Sequence, residues 1–168
     1  MQIAVRPMMP EDVAAACRIL NEIIEIGGTT AFEIPFSESL FAQSYLNGPD
    51  KICCHVALDG AGRVAGFQWL GTYDELPSDC ADIATFARRN PVVKGVGRAL
   101  FAVTAETARS IGFASINATI RADNVPGLGY YSRMGFQEHS VAHGVPLRDG
   151  TPVDRISKRY DLKGEMEC

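Results

Sequence analysis

The sequence of 168 residues lacks a long apolar run, an excess of basic residues and a recognisable export signal. No stretch approaches the roughly 20 apolar residues of a membrane-spanning helix. A net charge of −4 argues against binding nucleic acid through its phosphate backbone alone. Residues 1–13 carry acids and prolines where a signal peptide needs an apolar core. We therefore expect a cytoplasmic protein that binds neither a membrane nor nucleic acid.

The sequence also lacks paired cysteines and any metal-binding pattern. Its cysteines are odd in number and show no C-x-x-C spacing, which fits neither a disulfide framework nor a zinc site. No group of Asp, Glu and His has metal-ligand spacing, so we predict no metal. Cys80 has no histidine near it in the sequence, so we expect a buried structural thiol rather than a nucleophile. We expect reduced thiols at all five positions: Cys17, Cys53, Cys54, Cys80 and Cys168.

Length and hydrophobicity predict one domain over residues 1–162, followed by a polar tail at 163–168. Apolar residues recur at helical spacing after Pro10 and again after Gly97. Strand-like runs flank two turns, at 59–62 and 148–150. Strands and helices therefore alternate along the chain. This order predicts an α/β or α+β fold in which helices cover a sheet with both parallel and antiparallel pairs.

The segment 88–98 (RRNPVVKGVGR) gives the clearest indication of a ligand. It joins a predicted strand to a long helix through the turn Lys94–Gly97. Glycines let the backbone approach a ligand, and a helix N-terminus offers free N–H groups and a positive dipole end, which suits phosphate. An ordinary glycine turn with solvated charges explains the same pattern about equally well. The segment contains four basic residues and no acid: Arg88, Arg89, Lys94 and Arg98.

A second segment, 124–136 (NVPGLGYYSRMGF), follows about one helix and one strand later. Its residue Tyr131 carries a phenol that could protonate a leaving thiolate. The alternative is a tyrosine that packs in the core.

Together, and in this order, the two segments resemble the GCN5-related N-acetyltransferase (GNAT) family. The family motif Gln/Arg-x-x-Gly-x-Gly/Ala is similar to Val92–Gly97, although Val92 stands where the family usually has Gln or Arg. The later Asn…Tyr-x-x-x-Gly-Phe signature is similar to Asn124 followed by Tyr131–Phe136. The start of the chain is similar to the phosphinothricin acetyltransferase-like branch, in the run VRPMMPEDVAAACRILNEII followed by GGTTAFE. The resemblance spans roughly residues 3–162.

The resemblance implies a mixed, mostly antiparallel central sheet of six to seven strands with helices on both faces. It implies direct transfer of the acetyl group of acetyl-CoA to the amine of a small molecule, and is compatible with a homodimer. Tyr131 would be the acid, and Asp82, which matches the position of the branch's Glu, would be the base. Glu33 is a second candidate for the base, with substrate orientation or a solvated charge as its alternatives. The implied cofactor contacts are Thr85, Phe86, Ala87, Arg88, Val92, Val93, Lys94, Gly95, Val96, Gly97, Arg98, Asn124 and Tyr131.

Three questions stay open in the sequence. A non-catalytic acyl-CoA-binding module and a peptide or protein N-acetyltransferase are alternatives to a small-molecule enzyme. Asp82 shares a strand face with Ala84 and Phe86 by alternation, but it could be an ordinary charge at a strand start. Acids in two loops favour a cationic amine, whereas the branch favours an amino acid whose carboxylate Arg121 or Arg148 would have to reach. These acids are Glu33, Asp74, Glu75 and Asp79.

Overall fold

The structure is a computed structural model that describes residues 3–163, so the predicted tail lies outside the described residues except for Lys163. Within this range the backbone forms one seven-stranded sheet with the order β1-β2-β3-β4-β5-β7-β6. The pair β4–β5 is parallel, and the other five pairs are antiparallel. The strands are β1 (Ala4–Pro7), β2 (Lys51–Leu58), β3 (Val64–Gly71), β4 (Cys80–Ala87), β5 (Ser115–Arg121), β6 (Gln137–Pro146) and β7 (Pro152–Asp161).

Along the chain, helices lie between β1 and β2, between β4 and β5, and between β5 and β6. A 3₁₀ turn at Pro10–Asp12 leads into the first helix, and the second continues into a π-helical turn at Ala42–Leu46. None of the helices within residues 3–163 is long and apolar enough to cross a membrane. The helices are α1 (Val13–Ile26), α2 (Glu38–Phe41), α3 (Val96–Ile111) and α4 (Val125–Met134).

The sheet buries side chains on both of its faces. On one face, Phe67 and Phe86 pack with Leu20 of α1 and Phe41 of α2. On the other face, strand residues such as Ile116 pack against α3 and α4. The mixed, mostly antiparallel sheet with helices on both faces, expected from the resemblance, is therefore confirmed.

The long helix α3 begins at Val96, slightly earlier than the start near Arg98 that the sequence predicted. Gly95 is the N-cap and has a left-handed backbone with φ 87°, which glycine adopts without strain. Gly97 consequently lies in the first turn of α3 and not in the preceding loop. The glycine pair therefore has two different structural settings.

The parallel pair β4–β5 is short. Its ladder consists of Cys80 with Ser115, Ala81 with Ile116, and Asp82 with Asn117. Beyond Asp82, β4 stays paired with β3 as far as Ala87, while β5 stays paired with β7 to its end. The two strands therefore diverge, and β4 presents backbone N–H and C=O groups on an edge that β5 does not pair.

Candidate active site

A cleft of about 270 Å³ opens where β4 and β5 diverge. A larger groove of about 630 Å³ lies at the start of β5, and neither Tyr131 nor Asp82 lines it. The smaller cleft therefore brings together the chemistry that the sequence predicted. Its lining residues are Thr29, Thr30, Ala31, Phe32, Asp82, Ile83, Ala84, Thr85, Phe86, Thr119, Ile120, Arg121, Asn124, Tyr131 and Arg155.

Strand alternation divides the β4 side chains between two sides of the cleft. Ile83 packs in the core beneath α3 and α4, and Thr85 shares that face and contacts Tyr131. Ala84 and Phe86 pack on the α1 face, so Asp82 belongs to that face as well. The predicted acid and the predicted base thus approach the cleft from opposite faces of one strand.

Tyr131 is held by α4 with its hydroxyl at the cleft. Its Oη lies 2.9 Å from Thr85 Oγ1, and the residue is 7% exposed. Burial raises the pKa of Tyr131 above the usual 10, and the Thr85 hydrogen bond counteracts part of that rise. The phenol therefore stays protonated at neutral pH, as a proton donor must be.

Asp82 is fixed by side chains of β5 and β7. Asn117 Nδ2 donates to Asp82 Oδ1 at 3.1 Å, and Arg159 Nε donates to Asn117 Oδ1 at 2.8 Å. Burial raises the pKa of Asp82 above the usual 3.8, while the bond from Asn117 opposes the shift. A carboxylate with a raised pKa is a stronger base than a solvated one, which suits proton removal from an ammonium.

Glu33 does not join these two residues. Its Oε2 accepts a hydrogen bond from the backbone N–H of Arg148 at 2.8 Å, and it lines a neighbouring pocket that shares Ala31 and Phe32 with the cleft. The acids of the 72–79 loop are also absent from the cleft lining, and Glu75 accepts from the Tyr73 hydroxyl at 2.8 Å.

Glu33 and the acids of this loop are absent from the residues that line the cleft, but two of its lining residues interact electrostatically with the loops that carry them. The pKa of Arg121 is raised by its bond to Asp123 and also by the charge of Glu33. The pKa of Tyr73 is raised by its bond to Glu75 and also by the charge of Asp82.

The glycine turn has one open position and one packed position. A Cβ on Gly95 would meet nothing nearer than Ile3 Cδ1 at 3.5 Å. A Cβ on Gly97 would lie 2.5 Å from Cε1 of Tyr130, whose hydroxyl donates to the Gly97 carbonyl at 2.7 Å. Gly95 is thus the position from which a ligand could approach the helix N-terminus, whereas Gly97 makes room for α4.

The basic residues near this turn are not equivalent. Arg88 donates to Asp59 at 3.0 Å and to the carbonyls of Val64 and Pro91, so its side chain holds the β2–β3 turn rather than a phosphate. Val92 is 69% exposed, and Val93 packs beside a core cluster, so neither brings a polar group to the turn. Three exposed cations remain available to an anionic ligand: Arg89, Lys94 and Arg98.

Asn124 is the N-cap of α4, and both ends of its side chain are engaged. Its Oδ1 accepts from Gly127 N at 3.0 Å, and its Nδ2 donates to Thr29 O at 2.8 Å. A Cβ on Gly127 would lie 2.4 Å from that Nδ2, which accounts for the glycine. Asn124 therefore positions both α4 and the 29–32 loop that borders the cleft.

Two site residues were missed in the sequence. Gln68 is fully buried on β3 and contacts both Thr85 and Tyr130; a lone amide in the apolar run VAGFQWLG was the signal. Arg155 lines the cleft on β7 opposite Arg121, and its buried Nε has no hydrogen-bond partner among the described residues. Nothing in its local sequence distinguishes Arg155 from an ordinary strand residue.

Comparison with known proteins decides the family, because residues 18–136 match the model of the acetyltransferase (GNAT) family. The chain belongs to the GNAT family. This GNAT protein is 27% identical over 154 residues to "Putative phosphinothricin acetyltransferase YwnH" of Bacillus subtilis (strain 168), covering 90% of each chain. This similarity, over most of both chains, confirms the predicted resemblance to the phosphinothricin acetyltransferase-like branch.

Solved structures share the fold of this GNAT protein. An N-acetyltransferase from Staphylococcus aureus Mu50 has a TM-score of 0.85 at 18% identity, covering 97% of this chain and 100% of its own. A phosphinothricin acetyltransferase from Sinorhizobium meliloti, in complex with AcCoA, has a TM-score of 0.84 at 20% identity, covering 96% and 89%.

The GNAT protein is accordingly an acetyltransferase that uses acetyl-CoA as its cosubstrate. The unpaired edge of β4 fits that cosubstrate, because the pantetheine amides need backbone partners. Within residues 3–163 no group of three or more His, Cys, Asp or Glu could hold a metal ion. The four described cysteines are free, and Cys80 is buried as a structural thiol would be.

The glycine turn gives a prediction for cofactor affinity. Gly95→Ala forces a Cβ onto a left-handed backbone and displaces the first N–H groups of α3. We expect calorimetry to show acetyl-CoA affinity at least about tenfold lower, the equivalent of one charge-assisted hydrogen bond. Gly112→Ala is the matched control, because it places the same strain at the other end of α3. Equal affinities in the two variants would contradict phosphate binding at this turn.

Asp82 gives a prediction for pH dependence. Protonation removes the base, so kcat should fall on acidification, with a midpoint above the normal aspartate pKa because burial raises it. Asp82→Asn should lower kcat about 10²-fold and abolish this acid limb. Asp79→Asn, an exposed acid just before β4, is the control and should retain the limb. An unchanged pH–rate profile in Asp82→Asn would assign the base elsewhere.

Proposed function

We propose that this GNAT protein transfers the acetyl group of acetyl-CoA directly to the amine of a small molecule that also carries an anionic group. The observation that carries the proposal is the placement of Tyr131 and Asp82 at one cleft but on opposite faces of β4. An acid and a base on opposite sides of a reacting centre suit a transfer in which the nucleophile enters from one side and the thiolate leaves on the other.

The residues then have separate tasks. Acetyl-CoA, when bound, supplies the activated acetyl thioester. Backbone groups of the open β4 edge, 83–87, hold its amides. Asp82 takes a proton from the acceptor ammonium, directly or through water, so that the nitrogen lone pair can attack the carbonyl carbon. As the carbon–sulfur bond breaks, Tyr131 gives its proton to the sulfur, and no acyl-enzyme forms.

The acceptor side of the cleft favours an anionic group. Arg121 is committed to Asp123, at 2.9 and 2.8 Å, and to the carbonyl of Thr30 at 3.2 Å. Arg155 lies beside it in register and, after Arg121, also helps to lower the pKa of Asp123, but its buried Nε has no hydrogen-bond partner among the described residues. A carboxylate matches the planar donor fork of a guanidinium. The cleft therefore supports an amino-acid-like acceptor over the cationic amine suggested by the loop acids.

The small size of the cleft supports a small acceptor over a peptide. The 29–32 loop, fastened by Asn124, borders it on the acceptor side. A homodimer and a cytoplasmic location remain predictions from the sequence.

Release of free CoA thiol over a panel of amines tests the function. The wild type should release thiol, and Tyr131→Phe should lower kcat about 10²-fold or more with acetyl-CoA affinity nearly unchanged. Tyr73→Phe, in an exposed loop, is the control. Tyr130 is unsuitable as a control, because its hydroxyl is hydrogen-bonded to Gln68 and Gly97. A wild type that binds acetyl-CoA but releases no thiol with any amine would instead be a binding module.

Matched acceptors test the anionic group. We expect kcat/KM to be higher for an α-amino acid than for the amine that lacks its carboxylate. Arg155→Gln should reduce that preference by about tenfold or more, because a charge-assisted hydrogen bond is lost. Arg148→Gln is the control. Arg148 bonds to Glu33 through its backbone N–H, so the substitution removes a guanidinium without removing that bond. A preference for the amine without the carboxylate would restore the cationic alternative.

A further inference from the structure

A chain of hydrogen bonds runs beneath the cleft from the first turn of α3 to Tyr131. It passes from the Gly97 carbonyl through Tyr130, Gln68 and Thr85. We propose that Gln68 and Thr85 are positioning residues, which orient this chain in one direction so that the Tyr131 proton points into the cleft. The inference rests on the proposed role of Tyr131 as the proton donor.

The direction follows from the Gly97 end. A carbonyl oxygen can only accept, so the Tyr130 hydroxyl must donate its single proton to it, at 2.7 Å. Tyr130 Oη can then only accept from Gln68, which lies 3.2 Å away. Gln68 must therefore present its NH₂ group to this side and not its oxygen.

The same amide group fixes the next link. The second N–H of Gln68 points to Thr85 Oγ1 at 2.9 Å, across the register that places these residues opposite each other on β3 and β4. Thr85 Oγ1 accepts this bond, and its 2.9 Å distance to Tyr131 Oη allows either hydroxyl to donate. In the proposed orientation Thr85 is the donor. Tyr131 Oη accepts from Thr85, so its own proton remains free for a group in the cleft.

The arrangement leaves one end of the buried Gln68 amide unsatisfied. The side chain is fully buried, and its Oε1 has no hydrogen-bond partner among the described residues. Turning the amide over would place that oxygen against Tyr130 Oη, which has no proton left to give. Both N–H groups of Gln68 are thus used on the chain that ends at Tyr131.

This chain of hydrogen bonds, called the relay below, also affects the acidity of the Tyr131 phenol. Burial raises the pKa of Tyr131, which disfavours proton donation to a thiolate, whose conjugate acid ordinarily has a pKa of about 8.5. The Thr85 hydroxyl donates to the phenolic oxygen and stabilises the negative charge that develops there. Loss of this donor should therefore slow proton transfer without weakening cofactor binding, because Thr85 would offer acetyl-CoA only its backbone.

The test uses Thr85→Val, which keeps the side-chain shape and removes the hydroxyl, alone and combined with Tyr131→Phe. Thr85→Val should lower kcat about tenfold, with KM and acetyl-CoA affinity within about twofold. Thr85→Ser should restore most of kcat. In the Tyr131→Phe background, Thr85→Val should change kcat by less than about twofold, because the phenylalanine that replaces Tyr131 has no hydroxyl for Thr85 to orient. Thr72→Val, at an exposed loop position, is the neutral control.

Gln68→Met provides a second, independent variant. It removes the orienting N–H groups but leaves the Thr85 proton, so kcat should fall by a smaller factor, about threefold, and only when Tyr131 is present.

Each other outcome overturns the relay. The same fall in kcat in both backgrounds would make Thr85 merely structural, and an undiminished kcat in Thr85→Val and Gln68→Met would show that Tyr131 needs no orientation. A wild type that transfers acetyl groups under either result leaves the proposed function standing. A wild type that releases no thiol with any amine removes the proposed function and the relay with it.

Discussion

The divergence of β4 and β5 after Asp82 and Asn117 is the constraint on which the site depends. Each strand keeps its ladder on the other side, β4 with β3 and β5 with β7, so neither is free to close the gap. The unpaired backbone of β4 must be satisfied by water or by a ligand, since an orphaned peptide group is costly. The same divergence opens the sheet and gives a ligand access to side chains on both of its faces.

The alternation of side chains along β4 then places the proposed acid and the proposed base on opposite faces of the strand. Thr85 faces α4 and meets Tyr131, whereas Asp82 faces the opposite side with the Arg155 guanidinium. The absence of a side chain at Gly97 connects this site to the glycine turn, because it lets the Tyr130 ring pack against the first turn of α3. Cofactor turn, proton donor and acceptor pocket are thus linked through β4 and α4.

The sequence predicted the features that depend on neighbouring residues, such as helix ends, turns and the faces of strands. The alternation of strands and helices predicted a sheet with parallel and antiparallel pairs. Apolar periodicity and turn residues predicted the ends of α3 to within two residues, and strand alternation predicted the face shared by Asp82 and Phe86. What the sequence missed depends on contacts between distant segments. Arg88 meets Asp59 across 29 residues, and Glu33 meets Arg148 across 115, so neither engagement could be foreseen from spacing. Gln68 and Arg155 acquire their roles only through the register of neighbouring strands.

A crystal structure of the protein with acetyl-CoA would test the central claim most directly. The account predicts the pantetheine along the open edge of β4 beyond Asp82, with the sulfur within hydrogen-bonding distance of Tyr131 Oη and the pyrophosphate at Gly95. A cofactor bound instead in the groove at the start of β5, or with its sulfur out of reach of Tyr131, would contradict it.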